Sequence, residues 1–368
     1  MKILILTYDL NIKAGIGRYS FNIIQELQKQ GIECDVLVSN ITQKLPSINQ
    51  QKFFKDFFKQ SYNPLDIIKD TLRLRKKIKN NNYELIHAFD GYPYSILGYL
   101  ATYGLKNKFF ISGIGTYTVQ PLQSFIKGWL LKKAYLKAHK IFCISNFVKK
   151  RILHYIPQLK NLIVVNLGSD FKIHPEVIRS FIHSQPTIIS IGALKKRKGQ
   201  HLTIQALKII KEKIPNIQLR LIGSCDSPKH LEYLKKLVHQ NNLTNHVHFI
   251  SNLTDTELES EYKKADLFCM PSVSVNDNIE GFGIVYLEAA SYGLPCIGSL
   301  NTGAEDAISD KYNGFLVKHN NVQDLSAKIL QILTNQKLYS AMSANSLIWV
   351  EKFSWSKTVK SYIQGYLS

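Results

Sequence analysis

Several kinds of residue and motif are scarce in this chain, and each scarcity narrows its class. Of 368 residues, five are cysteine, three methionine and three tryptophan, and 27 acidic residues face 47 lysines and arginines. Cys34, Cys143, Cys225, Cys269 and Cys296 are odd in number, widely spaced and mostly set in apolar runs, with no Cys-x-x-Cys pair. They read as buried thiols of a protein in a reducing compartment. Nowhere do about 18 apolar residues run together, so no segment is expected to span a membrane. The apolar start, Met1 to Leu6, is short, is interrupted at Asp9 and lacks a small-residue cleavage pattern, so it reads as a buried strand. No Gly-x-x-x-x-Gly-Lys-Ser/Thr element occurs, which disfavours a P-loop ATPase. Gly15-Ile16-Gly17 lacks the third glycine of a dinucleotide fingerprint, and no acidic residue ends the next strand clearly placed for an NAD ribose. Dehydrogenase chemistry is therefore disfavoured. His246 and His248 alternate along an expected strand without partners at metal spacing and read as strand residues rather than ligands. No nucleic-acid reading motif is present.

The length exceeds that at which a single core usually keeps growing, so two domains are expected, and 45% hydrophobic content without a repeat or low-complexity tract fits a globular chain. Both halves use one grammar. The first opens with a strand from Ile3 to Thr7, a glycine-bearing loop, then Tyr19, Ile23 and Leu27 at helical spacing up to Gly31. Strand candidates follow at Val36–Val38, Leu85–Ala88, Phe109–Ser112 and Ile141–Ile144. Residues 187 to 192 restart the pattern, with a helix from Gln200, a strand at Leu219–Gly223, a helix near Lys229–Asn241 and strands at Val247–Ile250 and Leu267–Met270. Thr254 with Glu257 makes a capping box for a further helix. Alternation of this kind gives a parallel sheet covered on both faces, with ligands outside the carboxyl ends of the strands. The expected domains are 1–175 and 187–350, joined through a proline-containing connection, with residues 351–368 as a helix returning to the first domain.

The segment Glu280-Gly281-Phe282-Gly283-Ile284-Val285-Tyr286-Leu287-Glu288 restricts the chemistry most. Its glycines allow close backbone approach, and a helix starting there offers unpaired N–H groups and a positive dipole end to a diphosphate. If residues 281 to 288 are helical, eight steps of roughly 1.5 Å set the two carboxylates about 12 Å apart, near the length of a sugar-diphosphate-ribose strip. The competing reading is a polar cap on an amphipathic helix. Gly192-Ala193-Leu194-Lys195-Lys196-Arg197-Lys198-Gly199 puts four cations between glycines at a strand's carboxyl end. Such a run is often only a solvated surface, but at this position diphosphate binding is the better account.

These motifs, with Leu221-Ile222-Gly223, Val247-His248-Phe249, Ala265-Asp266-Leu267-Phe268, Pro271-Ser272, Gly293-Leu294-Pro295 and Asn313-Gly314-Phe315-Leu316-Val317, make the second half resemble the retaining glycosyltransferases of group 1, family 4. The first half is similar more loosely, through Gly15-Ile16-Gly17, Ser145-Asn146-Phe147 and Asn166-Leu167-Gly168. The resemblance implies an α/β protein of GT-B fold: two Rossmann-like, doubly wound parallel-sheet domains facing across a cleft. It implies that Glu280 contacts the donor sugar, that the amides of Gly281, Phe282 and Gly283 hold the diphosphate, that Glu288 binds ribose and that Lys198 neutralises the leaving phosphate. Gly192, Gly15 and Gly17 would line the donor site. Transfer would retain the anomeric configuration, with no bound metal and no cofactor beyond the nucleotide-sugar, a UDP- or GDP-sugar. Two positions depart from the family pattern. Ala193 stands where an arginine is common, so Arg197 or Lys195 would supply the second cation. Ile114 in Ile114-Gly115-Thr116-Tyr117 stands where a histidine that contacts the donor sugar is common, and His87, after another strand, is the candidate to replace it, with a purely structural reading beside that one. His87, Asp90 and Tyr117 are the acceptor-side candidates.

Charge is uneven, +16 over residues 1–180 and +4 over the remainder. Lys52-Phe53-Phe54-Lys55-Asp56-Phe57-Phe58-Lys59 places four phenylalanines on one face of an expected helix, and Arg73–Lys77 and Lys127–Lys133 add similar mixtures. Such surfaces suit an anionic bilayer, while the alternative packs the aromatics on the domain's own sheet. The expectation is a cytoplasmic enzyme, peripheral on the membrane's cytoplasmic face, acting on a glycan or lipid-linked acceptor in cell-surface polysaccharide or glycolipid synthesis and binding no nucleic acid. The competing class is a degenerate subunit that binds sugar-nucleotide or membrane without transfer.

Overall fold

The computed structural model describes residues 1–12, 15–41, 45–57, 62–176, 182–225 and 227–368. The chain divides into two compact units, Met1–Gly168 with Ser354–Ser368, and Ser169–Phe353. The unit-one strands are β1 (Lys2–Thr7), β2 (Glu33–Val38), β3 (Asn49–Lys52), β4 (Leu85–Phe89), β5 (Lys108–Gly113), β6 (Lys140–Cys143) and β7 (Leu162–Val164). They form a parallel sheet in the order β3-β2-β1-β4-β5-β6-β7. Its central strands are buried on both faces, which is why Lys-Ile-Leu-Ile-Leu-Thr reads as an unbroken apolar run rather than an alternation. The helices are α1 (Gly15–Lys29), α2 (Pro64–Lys79), α3 (Tyr94–Thr102), α4 (Thr116–Val119), α5 (Phe125–Lys137) and α6 (Asn146–Tyr155). Helix α2 starts cleanly because Asn63 and Asp66 exchange a capping box and Pro64 occupies the first turn.

The second unit repeats the plan. Its strands β8 (Thr187–Ile191), β9 (Gln218–Ile222), β10 (Val247–Ile250), β11 (Leu267–Cys269), β12 (Cys296–Ser299) and β13 (Gly314–Val317) pair in parallel in the order β10-β9-β8-β11-β12-β13. Between and after them run α7 (Gln200–Lys211), α8 (Pro228–Gln240), α9 (Asp255–Lys264), α10 (Ile284–Ser291), α11 (Ala304–Ala307), α12 (Val322–Leu333) and α13 (Gln336–Val350). The predicted Thr254–Glu257 capping box opens α9. In each sheet the strand order reverses once, at β1/β4 and at β8/β11, and a doubly wound sheet gathers ligands at such a point.

The last helix, α14 (Trp355–Leu367), belongs to the first unit and packs on α1. Tyr362 shares a 2.6 Å hydrogen bond with the Tyr19 hydroxyl. Gly365 lies flat on the Phe142 ring, and the Gly168 backbone lies against Trp355, each too close for a Cβ.

Two sequence expectations are corrected. Residues 53–57 form no helix. They follow the edge strand β3, with Phe53 and Phe54 buried and Phe57 among Tyr8, Tyr92, Tyr94 and Tyr117 at 5.5–6.2 Å. The aromatic rings that suggest a bilayer face are thus packed on the unit itself, Phe53 and Phe54 buried and Phe57 half-buried, while Phe58 and Lys59 lie outside the described residues. The second correction concerns residues 281–288. Gly283 takes a left-handed conformation (φ 84°), and helix begins only at Ile284. The sequence reading names no strand at β3, β7, β12 or β13: Asn-Gln-Gln-Lys carries no apolar signal, Leu-Ile-Val is only three residues long, and Cys-Ile-Gly-Ser and Gly-Phe-Leu-Val are four-residue runs interrupted or opened by glycine.

Candidate functional site

In the second unit, the loops leaving β8 and β11 meet at the strand-order reversal. After β8 the backbone turns at Gly192 (φ 138°), passes Ala193 and Leu194, makes one 3₁₀ turn over Lys196–Lys198, and enters α7 through Gly199 (φ 75°). Gly192 and Gly223, which ends β9, press backbone on backbone, and a Cβ on Gly223 would overlap the Gly192 carbonyl. Gly199 packs equally tightly on the Pro271 carbonyl, and Val273 N–H donates to the Arg197 carbonyl at 2.8 Å. Glycine is required at Gly199 and Gly223 because neither a side chain nor an ordinary φ fits, and at Gly192 because of its φ alone.

This clamp places the cation run beside Glu280. Its Oε2 lies 2.7 Å from Lys198 Nζ and 2.6 Å from Arg197 Nη1. Glu280 and Lys198 are 8% and 9% exposed, so the pair is largely out of water. Burial pushes the Lys198 ammonium down against the pull of Glu280. Burial alone would raise Glu280, but the charges of Lys198 and Arg197 outweigh it and hold the carboxyl below the usual range. Lys195 is exposed, and the second cation at Glu280 is Arg197.

Beyond Glu280 the backbone runs through buried Gly281, Phe282 and Gly283 to the first turn of α10, which has no side-chain cap and whose Tyr286 N–H donates to the Gly283 carbonyl at 2.9 Å. Two contacts shape this turn. Tyr286 lies under Gly283, where a Cβ would meet its ring, and its hydroxyl donates to the Met270 carbonyl at 2.5 Å. Gly303, after β12, donates its N–H to the Glu280 carbonyl at 2.9 Å and packs so closely that a Cβ would overlap Gly281 and Phe282. Gly303 carried no motif signal; only the tertiary approach of the β12 loop reveals it. Glu288, half-buried on α10, stands beside Tyr262, and burial together with that carboxylate drives the Tyr262 phenol well above its ordinary value. Tyr262 stacks on Tyr292 at 4.8 Å, and Tyr292 on His174 at 4.3 Å.

In the first unit, Asp90 and Tyr117 come together and His87 does not join them. Asp90 ends β4 with φ 92° and is buried. Its Oδ1 accepts from Gly91 N–H at 2.8 Å and from the Thr118 hydroxyl at 2.6 Å. Burial pushes its carboxyl up to about 6, against the pull of those two donors. Tyr117 lies on the same pair of loops, its carbonyl accepting from Tyr92 N–H at 3.0 Å. The acceptor-side placement of His87 is corrected. The ring has no exposed surface, with Nδ1 2.7 Å from the Tyr366 hydroxyl and Nε2 2.9 Å from Ser112 Oγ. It ties β4 to β5 and α14, and burial pushes it well below the ordinary imidazole range. Gly17, at the start of α1, abuts Asn11 and Asp9 too closely for a side chain, whereas Gly15 faces open space.

Two family profiles together span most of the chain. One, described as "Glycosyl transferases group 1", matches residues 177–349, and the other, described as "Glycosyltransferase Family 4", matches residues 14–171. An uncharacterized glycosyltransferase of Methanocaldococcus jannaschii is 29% identical over 78% of this chain and 76% of its own. The N,N'-diacetylbacillosaminyl-diphospho-undecaprenol alpha-1,3-N-acetylgalactosaminyltransferase of Campylobacter jejuni is 26% identical over 96% of both chains. Among solved structures, Anabaena HepE in complex with UDP and glucose superposes with a TM-score of 0.78 at 17% identity, covering 99% of this chain and 98% of that one. At that identity the likeness carries the fold, and the fold is GT-B as the sequence implied.

Proposed function

The chain belongs to the group 1, family 4 glycosyltransferases, and on that premise we propose that it transfers a sugar from a nucleoside-diphosphate sugar to a lipid-linked or glycolipid acceptor, with retention at the anomeric carbon. The observation that carries this reading is the triad of Lys198, Arg197 and Glu280 at the head of a glycine turn and an uncapped helix. In the proposed step, the bond from the sugar's anomeric carbon to the diphosphate breaks and a bond from an acceptor hydroxyl forms on the same face. The electron pair leaves with the diphosphate, whose oxygen takes the acceptor's proton. Lys198, Arg197 and the α10 amides bear the charge that grows on the leaving group, the task a bound metal performs in other transferases. Glu280 turns to the sugar hydroxyls, and Glu288 to the ribose.

The lipid-linked acceptor is supported by the Campylobacter relative, whose name describes a sugar carried on diphospho-undecaprenol and whose match spans almost the whole of both chains. UDP or GDP suits the site equally, since the argued contacts concern phosphates, ribose and sugar. The test pairs binding with turnover. Thermal shift against UDP-, GDP- and ADP-sugars should select one donor, a ligand at 100 times its dissociation constant adding about 2.7 kcal/mol. Lys198→Ala and Glu280→Gln should each slow transfer roughly a hundredfold without unfolding the protein. Unchanged turnover in both variants would overturn the assignment, and donor binding without any transfer or donor hydrolysis would favour a non-catalytic subunit.

A further inference from the structure

Among the described residues fourteen large hydrophobic side chains are exposed, and seven of them lie on α2 and α5 of the first unit: Leu65, Ile68 and Leu72 on α2, and Phe125, Ile126, Trp129 and, in its last turn, Leu136 on α5. Phe125 is 94% exposed, an extreme value for a phenylalanine in an ordered helix. Topology brings the two groups to one edge. Helix α2 leads from β3 to β4 and α5 from β5 to β6, so both begin at the carboxyl ends of the strands, and α3 lies between them in contact with both. Leu65 and Ile68 occupy the first turns of α2; Phe125, Ile126 and Trp129 occupy those of α5. Each helix is fixed from behind, α2 by Leu74 and Ile78 and α5 by Gly128, Leu131 and Ala134.

The surround is cationic. Between Asp90 and Asp170 the sequence contains no aspartate or glutamate, and α5 brings Lys127, Lys132, Lys133 and Lys137 to this stretch. On α2 the Leu65-Ile68-Leu72 stripe continues into exposed Lys76 and Lys79. The acids of α2 are engaged locally: Asp66 accepts from Lys55 at 2.9 Å, and Asp70 from Arg73 at 3.0 Å. Two exposed apolar stripes flanked by lysines, one of them carrying a tryptophan, have the composition of a surface that lies in a headgroup layer. A second copy of the same face would set lysines against lysines, and nucleic acid would leave the apolar stripes unused.

We propose that the first turns of α2 and α5 form a docking face for a bilayer carrying anionic lipids, inserting Leu65, Ile68, Phe125, Ile126 and Trp129 at the acyl boundary while the lysines meet the headgroups. No helix among the described residues is long and apolar enough to cross a membrane, so this contact lies on the bilayer. The face is distinct from the Phe53–Phe57 segment, which packs on the unit itself, and it lies at the strand edge where Asp90 and Tyr117 sit. A lipid-linked acceptor would reach that edge without leaving the membrane surface.

The experiment uses the whole chain without donor, so its outcome is independent of the transfer reaction. Sedimentation with vesicles of phosphatidylcholine containing about 30 mol% phosphatidylglycerol should carry the protein down, and pure phosphatidylcholine should carry far less. Lipids brominated in the chain should quench Trp129 fluorescence, a signal that Trp129→Phe should abolish. The double variants Phe125→Ser/Ile126→Ser and Leu65→Ser/Ile68→Ser should each weaken binding roughly tenfold or more while melting as the parent does. The proposal is overturned by any of three results: no preference for anionic vesicles, variants that bind like the parent, or binding without quenching, which would mean electrostatic contact alone. A concentration-dependent dimer lost in the same variants would instead assign the face to a second copy.

Discussion

Oε2 of Glu280 stands 2.7 Å from Nζ of Lys198, with both side chains about nine-tenths buried. On the proposed reading the carboxylate occupies the position of charge that a diphosphate would take, and a nucleotide would have to displace it. Glu280→Gln should raise the affinity for UDP or GDP lacking a sugar by about tenfold, or 1.4 kcal/mol, yet slow sugar transfer. Glu280→Ala is a poorer probe because it strands a buried ammonium, at a cost of about 3–5 kcal/mol. Titration calorimetry of the Gln variant decides the matter: weaker nucleotide binding would mean that Glu280 does not compete with the diphosphate.

A second prediction concerns acid stability. His87 is held neutral by burial, far below its ordinary value, whereas in the unfolded chain it titrates near 6.5. As pH falls through about 6.5 the unfolded state takes up a proton that the folded state refuses, so stability drops by up to about 1.4 kcal/mol per pH unit for this group. His201, pushed to about 4 by burial, acts in the same sense. Melts between pH 7.5 and 5 should show the decline. His87→Gln should melt lower at pH 7.5 and fall less steeply; parallel curves would remove His87 as the cause.

Asp90 has the opposite sign. Its carboxyl is raised to about 6 by burial, so the folded state binds a proton more readily than the unfolded one. The ionised form thus weakens the fold above about pH 6, and stability is recovered as pH falls toward 4. Asn mimics the protonated acid and accepts the left-handed φ, so Asp90→Asn should raise the melting temperature at pH 8, by about 3 kcal/mol at most, and change little near pH 4.5. A destabilised variant at pH 8 would show that charge-assisted bonds from Thr118 and Gly91 outweigh burial. Slower transfer with unchanged nucleotide affinity would place Asp90 on the acceptor side.

What the sequence could disclose follows from how local each signal is. The parallel sheets were legible because central strands such as Ile-Leu-Ile-Leu need apolar residues on both faces, and the Thr254 capping box because its chemistry spans four residues. The Lys195–Lys198 run and the Glu280 turn were legible as neighbours of strand ends, yet which cation meets Glu280 depends on a 3₁₀ turn that periodicity does not encode. His87 was misplaced since a histidine after an apolar run looks alike in a pocket or in a core; its partners Ser112 and Tyr366 are 25 and 279 positions away. The phenylalanines at 53, 54 and 57 have helical spacing, but the packing of Phe54 on Tyr94 and of Phe57 on Tyr117 overrides it.

Gly303 gives the sharpest test of how the donor turn is held. It has an ordinary φ, so alanine there carries no backbone penalty of its own, and the nearest obstacle is the backbone of Gly281 and Phe282 at the Cβ position. Backbone cannot swing aside as a side chain can, so Gly303→Ala must displace the turn that carries Glu280, stretching the 2.9 Å bond from Gly303 N–H to the Glu280 carbonyl. Overpacking of this kind costs about 1–3 kcal/mol. It should lower the melting temperature modestly and weaken nucleotide-sugar binding by roughly tenfold or more, since Glu280, Lys198 and the α10 amides would no longer converge. Measuring both in one variant separates the effects: normal affinity at a lowered melting temperature would mean that the strain relaxes elsewhere, and that the β12 loop supports the fold but does not shape the site.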